Sequence, residues 1–333
     1  MDEYRIGVIG AGSIVESNHL PAIASLPQVK LAWVYDKSAK RSDLVSKMYG
    51  VPALGETSME KALSEVDVCL LAIPYGTRKP YIDLCRQGGK AIVIEKPFAF
   101  SKEEHMATCE GFSDWAIAVN FQRRFYRSVD LLAKIIRTQP LGRLRAVRYM
   151  QGNFTLKGGS GYLSSAKLAG GGVIAESASH ILDIILMITG AKKIELVDQR
   201  SLHMDGLDYD TVFDSLITTG EGELPVHCEI TTLRNLSNGL FLDFENGLLS
   251  CDLSPDGKIF LRNKTDQTIG FSLDGAPSYE GIQRQATRIN EAFLIFWQQF
   301  VLGMQKKEPN LTSARSSTLT SSWLEGIYKK ISI

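Results

Sequence analysis

The sequence has no excess of charge of either sign. Lys and Arg together number 37, Asp and Glu also number 37, and the formal net charge at pH 7 is zero. Proteins that bind nucleic acid usually carry a basic excess or a basic stripe. We therefore expect small neutral molecules as ligands and no nucleic-acid partner.

Cysteine pairs and long apolar runs are also missing. The five cysteines form no CxxC pair, and their odd number argues against a disulfide framework as well as against a zinc site. The start of the chain, Met-Asp-Glu-Tyr-Arg, goes straight into a strand pattern, and no window approaches the roughly 20 apolar residues that cross a membrane. We expect a cytoplasmic protein that holds no metal and contacts no membrane.

A glycine turn follows the first predicted strand, Tyr4–Ile9. The turn is GAGSI, residues 10–14, and a helical pattern comes after it. Such a turn lets backbone N–H groups at a helix start approach a pyrophosphate, because Gly10 allows the tight turn and Gly12 has no side chain in the way. Val15 stands where the usual fingerprint has a third glycine. The predicted phosphate contacts are Gly10, Gly12, Ser13 and Ile14.

An acidic residue, Asp36, ends the second predicted strand, residues 30–35. A carboxylate about twenty residues after the glycines accepts hydrogen bonds from the adenosine ribose and repels a 2′-phosphate, which favours NAD. Lys37 and Arg41 follow closely and could hold that phosphate, so NADP stays possible. A helix N-cap or a turn residue is the alternative role for Asp36.

Three further predicted strands end in residues that a ligand could contact. The strands cover residues 68–73, Ala91–Ile94 and 115–119, and the residues at their ends are Ile73, Pro74, Glu95, Lys96, Pro97 and Asn120. Repeated strand–helix units indicate a doubly wound parallel sheet, in which ligands bind beyond the carboxyl ends of the strands. Lys96 would then lie where cofactor and substrate meet. A solvated Glu-Lys pair at a strand end is the alternative.

Beyond Gly142 the pattern changes to long alternating strands. They cover residues 144–154, 193–202, 211–218, 225–232, 240–244 and 248–253, with hairpins predicted at Glu221-Gly222, Asn238-Gly239, Asn246-Gly247 and Asp256-Gly257. This pattern indicates a mostly antiparallel open sheet, closed by helices over about residues 279–304 and 313–331. We expect an α/β protein with two domains, residues 1–122 and 123–333. Because an open sheet leaves a face or an edge to cover, we also expect a homo-oligomer, a dimer or tetramer, built through it.

An apolar helix in the second domain carries three ionisable residues. It covers about residues 170–187, begins at three glycines and stops at Gly190. Glu176, His180 and Asp183 are four and three residues apart, so they share one face of this buried helix. Such burial is costly unless the groups pair or line a wet cavity. Either an intrahelical Glu-His-Asp network or a functional site is therefore expected.

Taken together, these motifs resemble the Gfo/Idh/MocA oxidoreductases, relatives of glucose-fructose oxidoreductase and inositol dehydrogenase. The motifs are the GAGSI turn, Asp36, Ala72-Ile73-Pro74, Glu95-Lys96-Pro97, Asn120 with Arg123, and the glycine run followed by Glu176, His180 and Asp183. The resemblance covers essentially the whole chain in the same order. It implies a dinucleotide-binding Rossmann domain followed by a substrate-binding α+β domain with an open sheet. The implied activity is hydride transfer between NAD or NADP and a hydroxyl carbon of a sugar, sugar derivative or cyclitol, of the EC 1.1.1 type.

The resemblance also implies roles for single residues. Lys96 matches the catalytic lysine of the family, His180 matches its catalytic histidine, and Glu176 stands where an aspartate usually works with that histidine. Arg123 and Tyr162 fall where substrate contacts are common. The expected cofactor contacts are Gly10, Gly12, Ser13, Ile14, Asp36, Lys37, Arg41, Ile73, Pro74, Glu95, Lys96 and Asn120. The expected substrate contacts are Lys96, Arg123, Tyr162, Glu176 and His180.

Two residues depart from the family pattern. Glu176 is one methylene longer than the usual aspartate, which would move its carboxylate toward the substrate or change its bond to His180. Arg78 stands where a histidine is usual, and a fixed cation there would favour an anionic substrate group.

Two other classes of function stay open. One is an NAD-dependent glycosidase that oxidises a sugar transiently, eliminates the aglycone and reduces the sugar again. The other is a non-catalytic dinucleotide-binding regulator.

Overall fold

The computed structural model describes residues 3–155, 161–255, 257–265, 267–271 and 288–331. The chain divides into two compact units. The first comprises Met1–Phe98, Glu103–Gln122 and Ile289–Ser317, and the second comprises Ala99–Lys102, Arg123–Arg288 and Thr318–Ile333.

The units share the division after Gln122 with the predicted domains, residues 1–122 and 123–333, but they differ from them in two segments. Ile289–Ser317 belongs to the first unit, and Ala99–Lys102 belongs to the second. The return of the late segment has a packing cause, because Phe293 and Trp297 are fully buried with their rings edge-on to His19.

The first unit is built on a parallel sheet of five strands in the order β2-β1-β3-β4-β5. The strands are β1 (Tyr4–Ile9), β2 (Val29–Tyr35), β3 (Val68–Leu71), β4 (Ala91–Ile94) and β5 (Ile117–Val119). Every residue of β3, β4 and β5 is buried, as expected for short apolar strands with helices on both faces. The predicted doubly wound sheet is confirmed.

The helices of the chain are mostly short. Their bounds are α1 (Leu20–Ala24), α2 (Ala39–Tyr49), α3 (Met59–Leu63), α4 (Lys79–Gln87), α5 (Lys102–Cys109), α6 (Arg127–Thr138), α7 (Ala166–Ala169), α8 (Ser179–Thr189), α9 (Ile289–Lys306) and α10 (Thr318–Ile331). Wider π-helical turns, Val15–His19 and Ile174–Ala178, lead directly into α1 and α8. π-Helical turns of this kind are rare and occur often at functional sites.

The second unit is built on eight strands in the order β13-β12-β11-β10-β6-β9-β8-β7. The strands are β6 (Leu144–Gly152), β7 (Lys193–Met204), β8 (Leu207–Thr219), β9 (Gly222–Thr231), β10 (Gly239–Phe244), β11 (Gly247–Cys251), β12 (Ile259–Asn263) and β13 (Thr268–Phe271). Among the strand pairs of this unit that the structure describes, β6–β9 is parallel and the others are antiparallel. The predicted large, mostly antiparallel sheet is therefore confirmed.

The predicted turns of this sheet have mixed outcomes. Glu221-Gly222 joins β8 to β9, and Asn246-Gly247 joins β10 to β11, as predicted. The hairpin at Asn238-Gly239 is wrong, because β6 lies between β9 and β10 and pairs with both. The turn at Asp256-Gly257 includes residue 256, which lies outside the described residues. The hairpin of β7 and β8, with positive φ at Asp205, was not predicted.

The closing helices agree with the predicted ranges where the structure describes them. The first prediction, residues 279–304, begins in a segment outside the described residues, and α9 covers Ile289–Lys306. The second, residues 313–331, consists of the tighter turn Ala314–Ser317 followed by α10.

The predicted apolar helix is divided into two parts. A π-helical turn, Ile174–Ala178, precedes α8, and Gly190 ends α8 with φ of +62° as predicted. By length and composition alone, Ala166–Thr189 would be long enough to cross a membrane, which corrects the expectation that no window approaches such a length. Because 72% of its most apolar window is buried inside the structure, this stretch packs as a core element.

Candidate functional site

The two glycines of the turn after β1 have different surroundings: Gly10 is tightly packed and Gly12 is open. Gly10 has φ of +102°, and a Cβ there would lie 2.3 Å from the carbonyl oxygen of Ala72, so packing and backbone both require glycine. A Cβ at Gly12 would meet no atom of the described chain within 4 Å. Ser13 and Ile14 follow it and are exposed. The space beside Gly12 can therefore admit a phosphate group.

Asp36 follows β2 and ties the glycine turn to that strand. Its Oδ2 accepts a hydrogen bond from the backbone N–H of Ala11 at 2.7 Å, and its Oδ1 accepts one from Ser38 at 2.8 Å. This is the turn role that the sequence left as the alternative to ribose binding. The carboxylate has further lone pairs for ribose hydroxyls, so the two roles are compatible. Lys37 and Arg41 are exposed in the following segment.

Ile73 and Pro74 follow β3, and the buried side chain of Arg78 hydrogen-bonds to the backbone of this segment. The side chain of Arg78 is buried; its Nε donates to the carbonyl oxygen of Ile73 at 3.0 Å, and its Nη1 donates to that of Pro97 at 2.5 Å. Arg78 thus links the ends of β3 and β4. The expectation that Arg78 offers its charge to an anionic substrate is not supported, because its guanidinium is buried against backbone carbonyls.

Glu95 and Lys96 leave the end of β4. The buried Oε1 of Glu95 accepts hydrogen bonds from Nε2 of His19 at 2.8 Å and from Nδ2 of Asn120 at 2.6 Å, and Oε2 accepts one from the backbone N–H of Lys96 at 3.2 Å. Burial by itself would raise the pKa of Glu95. The hydrogen-bonding and electrostatic interactions with His19, the hydrogen bond from Asn120 and the charge of Lys96 together outweigh burial and hold that pKa below its ordinary value. Glu95 therefore carries a negative charge beside Lys96, whose side chain is half-buried.

His19 and Trp297 are site residues that sequence reasoning missed. His19 is fully buried at the end of the π-helical turn, and its Nδ1 accepts a hydrogen bond from Nε1 of Trp297 at 3.0 Å. The available signal was a histidine among the apolar residues that follow the glycine turn. Nothing in the sequence indicates that a tryptophan of α9 would reach it.

The predicted cofactor residues of the first unit are brought to one edge of its sheet. They follow the five parallel strands in turn, as Gly10 after β1, Asp36 after β2, Ile73 and Pro74 after β3, Glu95 and Lys96 after β4, and Asn120 after β5. Carboxyl ends of parallel strands share an edge, which is where dinucleotides bind in such sheets. The open backbone at Gly12 and the carboxylate at Asp36 are the groups that a dinucleotide requires there.

The glycine run of the second unit is explained by two residues far along the chain. A Cβ at Gly171 would lie 2.1 Å from the hydroxyl oxygen of Tyr328, and one at Gly172 would lie 2.0 Å from the carbonyl oxygen of Asp208. The buried carboxylate of Asp208 accepts hydrogen bonds from the backbone N–H groups of Gly172 at 2.6 Å and Ile174 at 2.7 Å, and from the hydroxyl of Tyr328 at 2.8 Å. Asp208 therefore anchors the start of the π-helical turn as a helix cap would.

Glu176 and His180 lie in and after that turn. Glu176 is exposed, whereas His180 is 5% exposed at the start of α8. Of the two alternatives that the sequence left open, an intrahelical network of all three residues is not favoured, because Asp183 is paired with a residue of another segment. Nε of Arg124 donates to Asp183 Oδ2 at 2.6 Å, and Arg124 Nη2 donates to Oδ1. Thr320 adds a hydrogen bond to Oδ1 at 3.2 Å.

The two predicted substrate residues Arg123 and Tyr162 have different surroundings. Arg123 is half-buried near Tyr126 and Tyr149; burial raises the pKa of both phenols, and the Arg123 charge partly opposes that rise. Tyr162 is 46% exposed in the turn Gly161–Ser164. Arg123, Tyr162, Glu176 and His180 all belong to the second unit, whereas Lys96 belongs to the first.

Comparison with known proteins agrees with this geometry. Residues 4–113 match the model of the GFO_IDH_MocA family, described as an oxidoreductase family with an NAD-binding Rossmann fold. The scyllo-inositol 2-dehydrogenase (NAD(+)) of Bacillus subtilis (strain 168) is 24% identical over 302 residues, which cover 90% of this chain and 85% of that enzyme.

Two solved structures share the fold over nearly their whole length. An aldose-aldose oxidoreductase from Caulobacter crescentus complexed with glycerol has a TM-score of 0.81 at 14% identity, covering 98% of this chain and 97% of that one. A 3-ketoreductase from Actinomadura kijaniata, in complex with NADP and TDP-benzene, has a TM-score of 0.80 at 15% identity, covering 98% of both chains.

The parallel sheet and the family match therefore define an NAD-binding Rossmann unit of the kind found in this oxidoreductase family. The matched family model and the inositol dehydrogenase relative confirm the resemblance to the Gfo/Idh/MocA oxidoreductases that was inferred from the motifs.

Proposed function

We propose that the protein is a dehydrogenase that transfers a hydride between a nicotinamide cofactor and a hydroxyl carbon of a sugar, sugar derivative or cyclitol. The observation that carries this proposal is the position of Lys96. It follows β4 directly, at the carboxyl edge of an NAD-binding parallel sheet, and it lies beside the ionised carboxylate of Glu95. The names of the relatives support the substrate class, since one is an inositol dehydrogenase and another acts on aldoses.

The bound nicotinamide would supply the hydride acceptor, and the chain must then handle the hydroxyl proton. A base within hydrogen-bond reach of the hydroxyl is needed, and an ammonium can stabilise the negative charge that develops on oxygen. We assign the base to His180 and the charge stabilisation to Lys96. Glu176 has an exposed carboxylate four residues before His180, which suits it to accept a hydrogen bond from the imidazole or from a substrate hydroxyl.

The preferred cofactor in this proposal is NAD. Asp36 places a carboxylate after β2, where it would repel a 2′-phosphate. The exposed cations Lys37 and Arg41 keep NADP as the second candidate. A neutral polyol is the preferred substrate, because Arg78 uses its guanidinium on backbone carbonyls.

A substrate panel tests the proposal. Cyclitols, aldoses, nucleotide sugars and glycosides are each incubated with NAD and with NADP, and the absorbance of the reduced nicotinamide is followed. We expect reduced cofactor to accumulate with at least one polyol and more readily with NAD. Cleavage of a glycoside without net reduced cofactor would favour the glycosidase. Tight dinucleotide binding with no turnover on any compound would favour the regulator.

A further inference from the structure

A buried chain of hydrogen bonds runs from Trp297 through His19 to Glu95. Nε1 of Trp297 lies 3.0 Å from Nδ1 of His19, and Nε2 of His19 lies 2.8 Å from Oε1 of Glu95. All three residues belong to the first unit, although Trp297 is 278 positions after His19. We propose that Trp297 locks His19 in its neutral form with the proton on Nε2, and that both are positioning residues which keep Glu95 ionised beside Lys96.

The direction of each hydrogen bond follows from the chemistry of the indole. The indole nitrogen of Trp297 can only donate, so Nδ1 of His19 must accept and cannot carry a proton. A neutral imidazole then carries its proton on Nε2. The contact between His19 and Glu95 is therefore a donation from Nε2–H to the carboxylate.

Other protonation states of His19 fit the same geometry poorly. A proton on Nδ1 would face the N–H of Trp297, so that hydrogen bond would be lost. In the Nδ1–H tautomer the bond to Glu95 would be lost as well, and the only gain would be a long contact of 3.4 Å from Nδ2 of Asn120. The imidazolium keeps the bond to Glu95 but meets the same N–H at Nδ1. Buried donors and acceptors left without partners are costly, so the neutral Nε2–H form is favoured.

The surroundings of Glu95 are built for a carboxylate. His19 Nε2, Asn120 Nδ2 and the backbone N–H of Lys96 all point a donor at its two oxygens. A protonated carboxyl would need an acceptor for its own proton, and none of these three groups is an acceptor in its observed orientation.

The protonation state of His19 has an electrostatic consequence for Lys96. Among the described residues, the groups in contact with His19 or Glu95 include Lys96 after β4, Asn120 after β5, and Trp297 and Phe293 of α9. Glu16 is the acidic residue of the turn that carries His19. If His19 were to take up a proton, its charge would cancel that of Glu95. A neutral His19 donates a hydrogen bond to Glu95 without adding a positive charge, so the negative charge of Glu95 beside Lys96 is not cancelled.

Nuclear magnetic resonance on the protein without cofactor shows directly which ring nitrogen of His19 carries a proton. Long-range proton–nitrogen correlations of ¹⁵N-histidine protein should show His19 with an unprotonated Nδ1 and a protonated Nε2 throughout about pH 5 to 8. In Trp297→Phe the ring packing is kept and the donor is lost, so His19 should gain a proton at a higher pH than in the parent protein. A protonated Nδ1 in the parent protein near neutral pH would overturn the proposal, and so would an unchanged His19 titration in Trp297→Phe.

Trp33→Phe is the matched control. Trp33 is equally buried in the first unit, and its indole N–H donates to the carbonyl oxygen of Ala62 at 3.0 Å. This variant loses one buried indole hydrogen bond as Trp297→Phe does, but it should leave the His19 titration unchanged. A shift as large as that in Trp297→Phe would mean that general loosening of the unit, and not the lost donor, moves His19.

A second arm of the test uses turnover and rests on the proposed function. In Trp297→Phe, lowering the pH until His19 is protonated should reduce turnover by about tenfold. A tenfold change in rate corresponds to the free energy of a shift of one pKa unit. The double variant His19→Gln with Trp297→Phe should lose this pH dependence, because an amide mimics the neutral imidazole and cannot titrate. Persistence of the dependence in the double variant would contradict the proposal. If no substrate turns over at all, the proposed function fails. The magnetic resonance experiment would still show whether Trp297 holds His19 in its neutral form.

Discussion

The buried pair of Arg124 and Asp183 gives the most quantitative prediction. The Arg124 side chain is 4% exposed and that of Asp183 is 1% exposed, and the two are joined by two hydrogen bonds. In Asp183→Asn the shape is kept, but the negative charge that balances the buried guanidinium is removed. Breaking a buried pair from one side costs about 3–5 kcal/mol. Divided by a urea dependence of about 2–3 kcal/mol per molar, this loss lowers the unfolding midpoint by about 1–2.5 M.

Two further variants make this prediction specific. Asp130→Asn removes a carboxylate of the same unit from an exposed pair with Lys134, whose side chains are 37% and 52% exposed, and it should change the free energy of unfolding by about 0.5 kcal/mol or less. Replacing both members of the buried pair, as Arg124→Met with Asp183→Leu, should recover most of the stability. Urea unfolding followed by fluorescence measures all of these variants.

A small effect of Asp183→Asn, comparable to that of the exposed control, would refute this reasoning. It would mean that the charge of Arg124 is balanced by other groups, so that Asp183 does not hold α8. Asp183 lies three residues after His180 on α8, so loss of its pairing should also disturb the position of His180. Turnover of Asp183→Asn should therefore fall at denaturant concentrations where the protein is still folded.

Three other predictions concern single features. Gly10→Ala should destabilise the first unit in thermal unfolding, because its Cβ would lie 2.3 Å from the Ala72 carbonyl oxygen, whereas Gly12→Ala should keep the melting temperature and weaken NAD binding measured by calorimetry. Burial lowers the pKa of His105 to about 4 from 6.5, so the unfolded state takes up the proton first and stability falls by about 3 kcal/mol as the pH drops from 6.5 to about 4. His105→Gln should remove most of that loss in unfolding experiments at the two pH values. We also expect the outer face of the second sheet to join copies of the chain, so light scattering should show an oligomer. Val197 is 58% exposed on β7, and Val197→Glu should dissociate this oligomer. A monomeric parent protein at micromolar concentration would contradict this expectation.

Local sequence patterns predicted much of the first unit. Short apolar strands with glycines, prolines or charges at their ends reveal a parallel sheet and its carboxyl edge, because those patterns depend on near neighbours only. The positions of Gly10, Asp36, Lys96 and Asn120 at that edge followed from the strand ends alone. The return of α9 to this unit did not, since it depends on packing between distant segments.

The second unit shows the same division between local and distant interactions. The helix stop at Gly190 and the hairpin at Asn246-Gly247 are encoded locally and were predicted. The insertion of β6 between β9 and β10 depends on pairing across many residues, which no turn sequence reveals. For the same reason, the spacing of Asp183 from His180 suggested an intrahelical network, whereas its partner comes from a separate segment.

The central claim is that Lys96 acts in the chemical step. The most direct measurement compares Lys96→Met with the parent protein in turnover of the best substrate from the panel and in NAD binding by calorimetry. We predict that turnover falls by about a hundredfold or more while the dissociation constant for NAD changes little, because the methionine keeps the length of the side chain and removes its charge. Turnover close to that of the parent protein, with NAD binding intact, would contradict the account.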